Sequence, residues 1–91
     1  MTPKFPLGQV VSTPGALIAL AGAGQTAQEF IRRHAQGDWG DLDEGDRLEN
    51  GRSLQENCRL LSAYRLKDRT KIWIITEGDR SATTMFLPEE Y

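Results

Sequence analysis

Ninety-one residues make one domain, because chains this short rarely divide into two cores. At 38% hydrophobic and 26% charged, the composition is that of a globular chain, not a disordered one. A formal net charge of -2 excludes a domain that coats nucleic acid by bulk positive charge, and it is too mild for a nucleic-acid mimic.

Residues 1–8 hold Pro3, Pro6 and Gly8 and read as an extended lead-in, after which Gln9–Ser12 can add a short strand. Thr13-Pro14 is a helix start, with Thr as N-cap and Pro at the first helical position, where its missing N–H is not needed. Ala16 to Ala21 are apolar nearly all round, so this first helix is expected to be buried, ending at Gly22 or Gly24. Thr26-Ala27-Gln28-Glu29 has the form of a capping box. Ala27, Phe30, Ile31 and His34 then recur at the spacing of one helix face, and Gly37 closes the helix. A third helix is expected from the acidic turn Asp43-Glu44-Gly45-Asp46 to about Glu56, with Leu48 and Leu54 facing inward and Asn57 as a left-handed cap.

From Cys58 the period changes to two. Leu60, Ser62, Tyr64 and Leu66 fall on one side of a first strand, Lys71–Thr76 forms a second, and Ala82–Leu87 a third, stopped by Pro88. Polar turns at 67–70 and 77–81 imply antiparallel neighbours. The predicted fold is α+β: an N-terminal helical hairpin and a third helix packed on a C-terminal three-stranded antiparallel β-meander, with the short N-terminal strand as an addition.

Cys58, the only cysteine, forms no internal disulfide, and His34 is the only histidine, so no metal site and no cofactor are expected. The N-terminus resembles neither a signal peptide nor a transit sequence, which with the cysteine usage points to the cytoplasm. The apolar run Ala16–Ala23 falls well short of the ~20 residues a membrane span needs.

His34 is the residue that titrates nearest neutral pH. Its structural reading is a ring tied to a backbone carbonyl or to Asp38, and its catalytic reading is a general acid or base. Asp38, Asp41, Asp43, Glu44, Asp46 and Glu49 put six acids in twelve residues, with Arg47 the one base among them. A calcium loop fails on spacing: counted from Asp41, position five is Gly45 and position twelve is Arg52. The segment reads either as a capped acidic helix start or as a partner surface, with Trp39 as an anchor.

Arg59, Arg65, Lys67, Arg69 and Lys71 form the opposite feature, either a solvated, edge-protecting hairpin or a phosphate contact. Attraction between the acidic and basic segments is a third reading. Asp79-Arg80-Ser81 with Thr83 and Thr84 groups hydroxyls and a guanidinium at one turn, as turn caps or as a phosphate cradle. Trp39 and Trp73 read as core anchors in preference to base-stacking platforms.

Several segments together resemble one family: Thr13–Leu17, Arg33-His34 with Gly37-Asp38-Trp39-Gly40, Leu61–Tyr64, Trp73–Glu77 with Asp79-Arg80-Ser81 and Thr83-Thr84, and the ending Leu87–Tyr91. It is a set of short bacterial proteins, described as plasmid-related, found on plasmids and other mobile elements. The resemblance spans about Phe5 to Tyr91, and Gly78 departs from the alanine expected there, which would loosen that turn. It implies a bacterial cytoplasm and a mobile-element setting, and it transfers no catalytic residue.

Two functional readings follow. The first is a non-catalytic protein-interaction module that modulates a host system, such as a defence or replication complex, through the face Asp38, Trp39, Asp41, Asp43, Glu44, Asp46 and Glu49. Its partner is a host or mobile-element protein, and the chain itself is a monomer or small homo-oligomer. The second is a small toxin-like ribonuclease, similar to the RelE and barnase-like group in layout only, with His34, Arg59, Arg65, Arg80 and Thr84 around a scissile phosphate. The negative net charge disfavours a nucleic-acid partner.

Overall fold

A computed structural model describes residues 3–91; Met1 and Thr2, the start of the expected lead-in, lie outside the described residues. The elements run β1 (Gln9–Ser12), α1 (Pro14–Ala23), α2 (Ala27–Ala35), α3 (Glu44–Glu56), β2 (Leu60–Arg65), β3 (Lys71–Thr76) and β4 (Ala82–Phe86), followed by a 3-10 turn over Pro88–Glu90. The helices begin where capping chemistry places them. Thr13 and Thr26 accept from the amides of Ala16 and Glu29, and Asp43 accepts from Asp46 N at 2.8 Å. Gly24 and Asn57 close α1 and α3 in the left-handed region. Only half of the expected capping box forms, because the Glu29 carboxylate turns to the Gln25 amide instead.

The sheet departs from a three-stranded meander. It has four strands in the order β1-β4-β3-β2, with β2, β3 and β4 antiparallel and β1 parallel to β4. Three helices and a hairpin separate β1 from β4, ample chain for the crossover that parallel pairing requires. Gly8 makes the entry to this pair possible. Its φ is +65° and its Cα lies against the Ser81 backbone, where any side chain would collide.

The helices cover one face of the sheet. Burial alternates along β2, and Leu60, Ser62, Tyr64, Ile72, Ile74, Thr76, Thr83 and Met85 form the covered side. Ala16, Leu20 and Phe30 pack on Tyr64, Ile72, Ile74 and Met85, while Phe5, Trp39 and Leu60 make a second apolar cluster. Phe5 thus makes the extended lead-in part of the core. Trp39 fulfils its expected role as a core anchor. Trp73 lies on the other, uncovered face, half-buried against Phe86 and Tyr91.

Two expectations about helix faces are corrected. In α1 only Ala16 and Leu20 are buried, and Leu17 and Ile18 point to solvent, because a single layer of sheet can cover only one flank of the helix. In α3, Leu48 is 70% exposed, and the inward positions are the polar Asn50 and Ser53 with Leu54 beside them. Asn50 explains the rotation: its amide donates to Leu61 O at 2.6 Å and its carbonyl accepts from Leu61 N at 3.1 Å. It stands in for a neighbouring strand at the edge of β2. Asn50→Ala would leave both Leu61 groups unpaired in a covered position and is expected to cost roughly 2–3 kcal/mol, measured by urea unfolding. Asn50→Asp, which keeps only an acceptor, should fall between. Gly78 is no slack point either, since a methyl group there would stand 2.8 Å from Asn57 O.

Candidate functional site

His34 sits near the end of α2, fully buried against the covered face of the sheet. Neither expected partner holds it. Nδ1 meets Ser62 Oγ, and Nε2 lies 2.9 Å from Thr76 Oγ1. Thr76 Oγ1 in turn contacts Thr83 Oγ1 at 2.7 Å, and Thr83 Oγ1 donates to Leu7 O at 2.7 Å. One arrangement of protons satisfies the whole chain. A carbonyl can only accept, so the Thr83 proton goes to Leu7, Thr76 donates to Thr83, and His34 Nε2–H donates to Thr76. Nδ1 is left as an acceptor for Ser62. His34 is therefore neutral, with both nitrogens occupied, and burial pushes its pKa down to about 4. Phe5 and Trp39 meet its ring edge to face and complete the seal.

The other residues of the ribonuclease reading do not gather round it. Arg80 turns away to the end of α3, where it donates to Cys58 O at 2.6 Å, Glu77 O at 3.1 Å and Ser53 O at 2.9 Å. It clamps the end of α3 to the segment before β2 and to the β3–β4 turn through these three carbonyls. Arg59 pairs with Glu77 at 3.1 Å and Arg65 with Asp41 at 3.5 Å. Arg59, Arg65 and Thr84 lie on the uncovered face, with the sheet between them and His34. The Asp79–Thr84 group also disperses: Asp79 caps its turn through Ser81 N, Thr83 is buried in the His34 chain, and Thr84 faces the other way.

The acidic segment divides into structural and exposed members. Asp38 is bound to Arg33 at 2.7 Å and accepts from Gly40 N, which hold its carboxyl below the usual range. Its own carbonyl accepts from the Tyr64 hydroxyl, over whose ring the Arg33 guanidinium stacks at 4.5 Å. Trp39 is buried, so it is no surface anchor. Asp43 is the α3 cap, and Arg47 holds the loop through the carbonyls of Gly40 and Leu42. Asp41, Glu44, Asp46 and Glu49 reach solvent, with Glu49 paired loosely to Arg52 at 3.9 Å.

Three acids of this segment form one wall of a groove of about 370 Å3 on the uncovered sheet face. Asp41, Asp43 and Asp46 line that wall, Arg65 and Lys71 the opposite one, and Leu61, Ala63 and Trp73 contribute to its apolar lining. Residues 39–41 are laid along β2 by Asp41 N→Ala63 O at 2.7 Å and Ala63 N→Trp39 O at 3.1 Å. Gly40 has φ +73°, and a side chain there would run into Ala63 O and the Tyr64 ring. The attraction expected between the acidic and basic segments is realised in the Arg65–Asp41 pair; Lys67, Arg69 and Lys71 have no ion pair among the described residues. Among the described residues, no three His, Cys, Asp or Glu side chains converge as metal ligands would.

Sequence reasoning named both walls of this groove but missed its floor, since Leu61, Ala63 and Trp73 read as ordinary strand residues. The available signal was their parity, opposite to Leu60, Ser62 and Tyr64. No helix of the described residues is long and apolar enough to cross a membrane. Comparison with protein-family models, curated proteins and solved structures finds no match to this chain.

Proposed function

We propose that this chain is a non-catalytic protein-interaction module and that its working surface is the groove on the uncovered sheet face. One observation carries this reading: an apolar strip bearing Trp73 is left open beside solvent-facing Asp41 and Asp46. That combination suits a protein segment that seats an apolar side chain near Trp73 and presents Lys or Arg to the acidic wall. The plasmid-related resemblance supports a host or mobile-element protein as the partner. The sealed His34 and the committed Arg80 keep the residues of the ribonuclease reading from assembling, which supports binding over that alternative.

The test uses the tagged chain to capture a partner from a bacterial host, followed by titration with that purified partner. Asp41→Lys with Asp46→Lys should weaken binding at least tenfold, an expected loss of about 1.4 kcal/mol or more. Trp73→Ala should do the same without altering the salt dependence. Asp43 stays unchanged because it caps α3. A partner that binds both variants as tightly as the parent protein would sink the reading.

A further inference from the structure

The two edges of the sheet are treated differently. At β2, the outward backbone groups of Leu61 and Ala63 are taken up by Asn50 and by residues 39–41. At β1, Gln9 N bonds to Ser81 O and Thr13 N to Met85 O, so odd-numbered residues face β4. In a parallel pair the N–H and C=O of one residue point the same way. Those of Val10 and Ser12 therefore project from the free edge, and no protein group among the described residues meets them.

Apart from the shortness of β1, four residues, that edge lacks the devices that usually block strand addition. β1 contains no charge, proline or bulge. From Phe5 to Gln28 the chain has no Asp, Glu, Lys, Arg or His, although 26% of all its residues are charged. The same stretch holds four of the six large hydrophobic residues exposed in the described chain: Val10 at 45%, Val11 at 41%, Leu17 at 51% and Ile18 at 73%. Leu17 follows Gly15 by two residues, roughly 200° around the helix. Gly15 faces Leu87 and Glu90 beyond the end of β4, so Leu17 occupies the opposite flank of α1.

We infer that the β1 edge and the exposed flank of α1 bind a second copy of this chain, with β1 pairing antiparallel to its counterpart about a two-fold axis. The absence of charge selects this occupant. A two-fold contact lays a surface against itself, and any ionic side chain near the axis would meet its own like charge. A foreign partner carries no such restriction.

The outward groups also fix the register. Val10 pairs with the partner's Ser12 and Ser12 with the partner's Val10, each exchanging N–H···O bonds, and Val11 stands opposite its equivalent on the axis. An axis of this kind is perpendicular to the sheet. It joins two four-stranded sheets into one continuous sheet, places both α1 helices on the same side and keeps both Trp73 grooves on the other.

The experiment compares the parent protein with Val11→Lys by sedimentation equilibrium from about 1 to about 200 μM, the range in which modest interfaces dissociate. It adds Val11→Cys and Val10→Cys, each in a Cys58→Ser background, under mild oxidation. The parent is expected to dimerise, and Val11→Lys, which sets two ammonium groups face to face, to raise the dissociation constant at least a hundredfold. Val11→Cys should cross-link rapidly. Val10→Cys should cross-link at least tenfold more slowly, because the diagonal separation exceeds disulfide reach.

A parent that stays monomeric throughout, a Val11→Lys variant that dimerises like the parent, or equal cross-linking at both positions overturns the inference. If Val11→Lys does not fold, the cysteine pair decides, because those substitutions add no charge. The groove proposed for partner binding lies at the other side of the sheet, so loss of either proposal leaves the other standing.

Discussion

Lowering the pH from 7 to 4 is expected to weaken the fold by roughly 3 kcal/mol through His34 alone. In the unfolded chain the imidazole takes up a proton near its ordinary pKa of 6.5, whereas in the folded protein burial delays this to about 4. Between those values the unfolded state binds more protons, so stability falls as pH drops through the window and levels off below it. From about one unit above pH 6.5 the residue is neutral in both states and contributes no slope. Ser62 Oγ can turn to accept from a protonated Nδ1, so the cost of protonation lies in burying the charge and not in a lost hydrogen bond.

The measurement is urea unfolding at intervals from pH 4 to pH 7.5, alongside a His34→Gln variant. The variant should be less stable at pH 7.5 but nearly flat between pH 6.5 and 4.5. Asp38, Asp79 and Glu90 have carboxyls held below the usual range by Arg33, Ser81 and Thr13 respectively, and their losses fall at lower pH. An equal slope in both proteins would show that His34 is not the group responsible.

Gly40→Ala is expected to destabilise by roughly 3 kcal/mol, combining a left-handed backbone penalty of ~1–2 kcal/mol with overpacking of ~1–3 kcal/mol. The φ of +73° is costly for alanine, and the new methyl would collide with the Ala63 carbonyl and the Tyr64 ring. Neither can retreat easily. Ala63 is held in register with Trp73, and the Tyr64 hydroxyl is anchored to Asp38 O. For a chain of this length the melting temperature should fall by roughly 15 °C.

Gly51→Ala is the matched control. It lies in α3, where a methyl meets nothing within 4 Å, and it should stabilise by roughly 0.5–1 kcal/mol through helix propensity. Equal melting temperatures for Gly40→Ala and Gly51→Ala would contradict the close approach at Gly40. Gly40 also lays Asp41 against the sheet, so a folded remnant of Gly40→Ala should bind the captured partner more weakly.

The correct and incorrect expectations separate along one physical line. Local chemistry was legible. Thr13, Thr26 and Asp43 marked helix starts because a cap acts on amides two or three residues away, and Asn57 marked an end for the same reason. The parity of Leu60, Ser62, Tyr64 and Leu66 gave the covered face of β2, since alternation belongs to the strand itself. Leu48 misled because apolar periodicity assumes that helices dock by apolar stripes, whereas α3 docks through Asn50. His34 was legible as buried. Its partners Ser62 and Thr76, 28 and 42 residues onward, were not, although a polar residue at an inward strand position demands a buried polar partner.

By itself, then, the chain's order of residues determined an α+β domain with three capped helices, a hairpin-linked β2–β3–β4 unit, and acidic and basic segments of opposite sign. The tertiary structure alone decided the rest. Pairing β1 with β4 is a choice between distant segments, which no local preference encodes. It set which edge of the sheet stays open, which flank of α1 meets solvent, and which of the acids remain free to bind. Those outcomes follow from how a small core shares its limited covering surface, since all three helices pack on one side of the sheet.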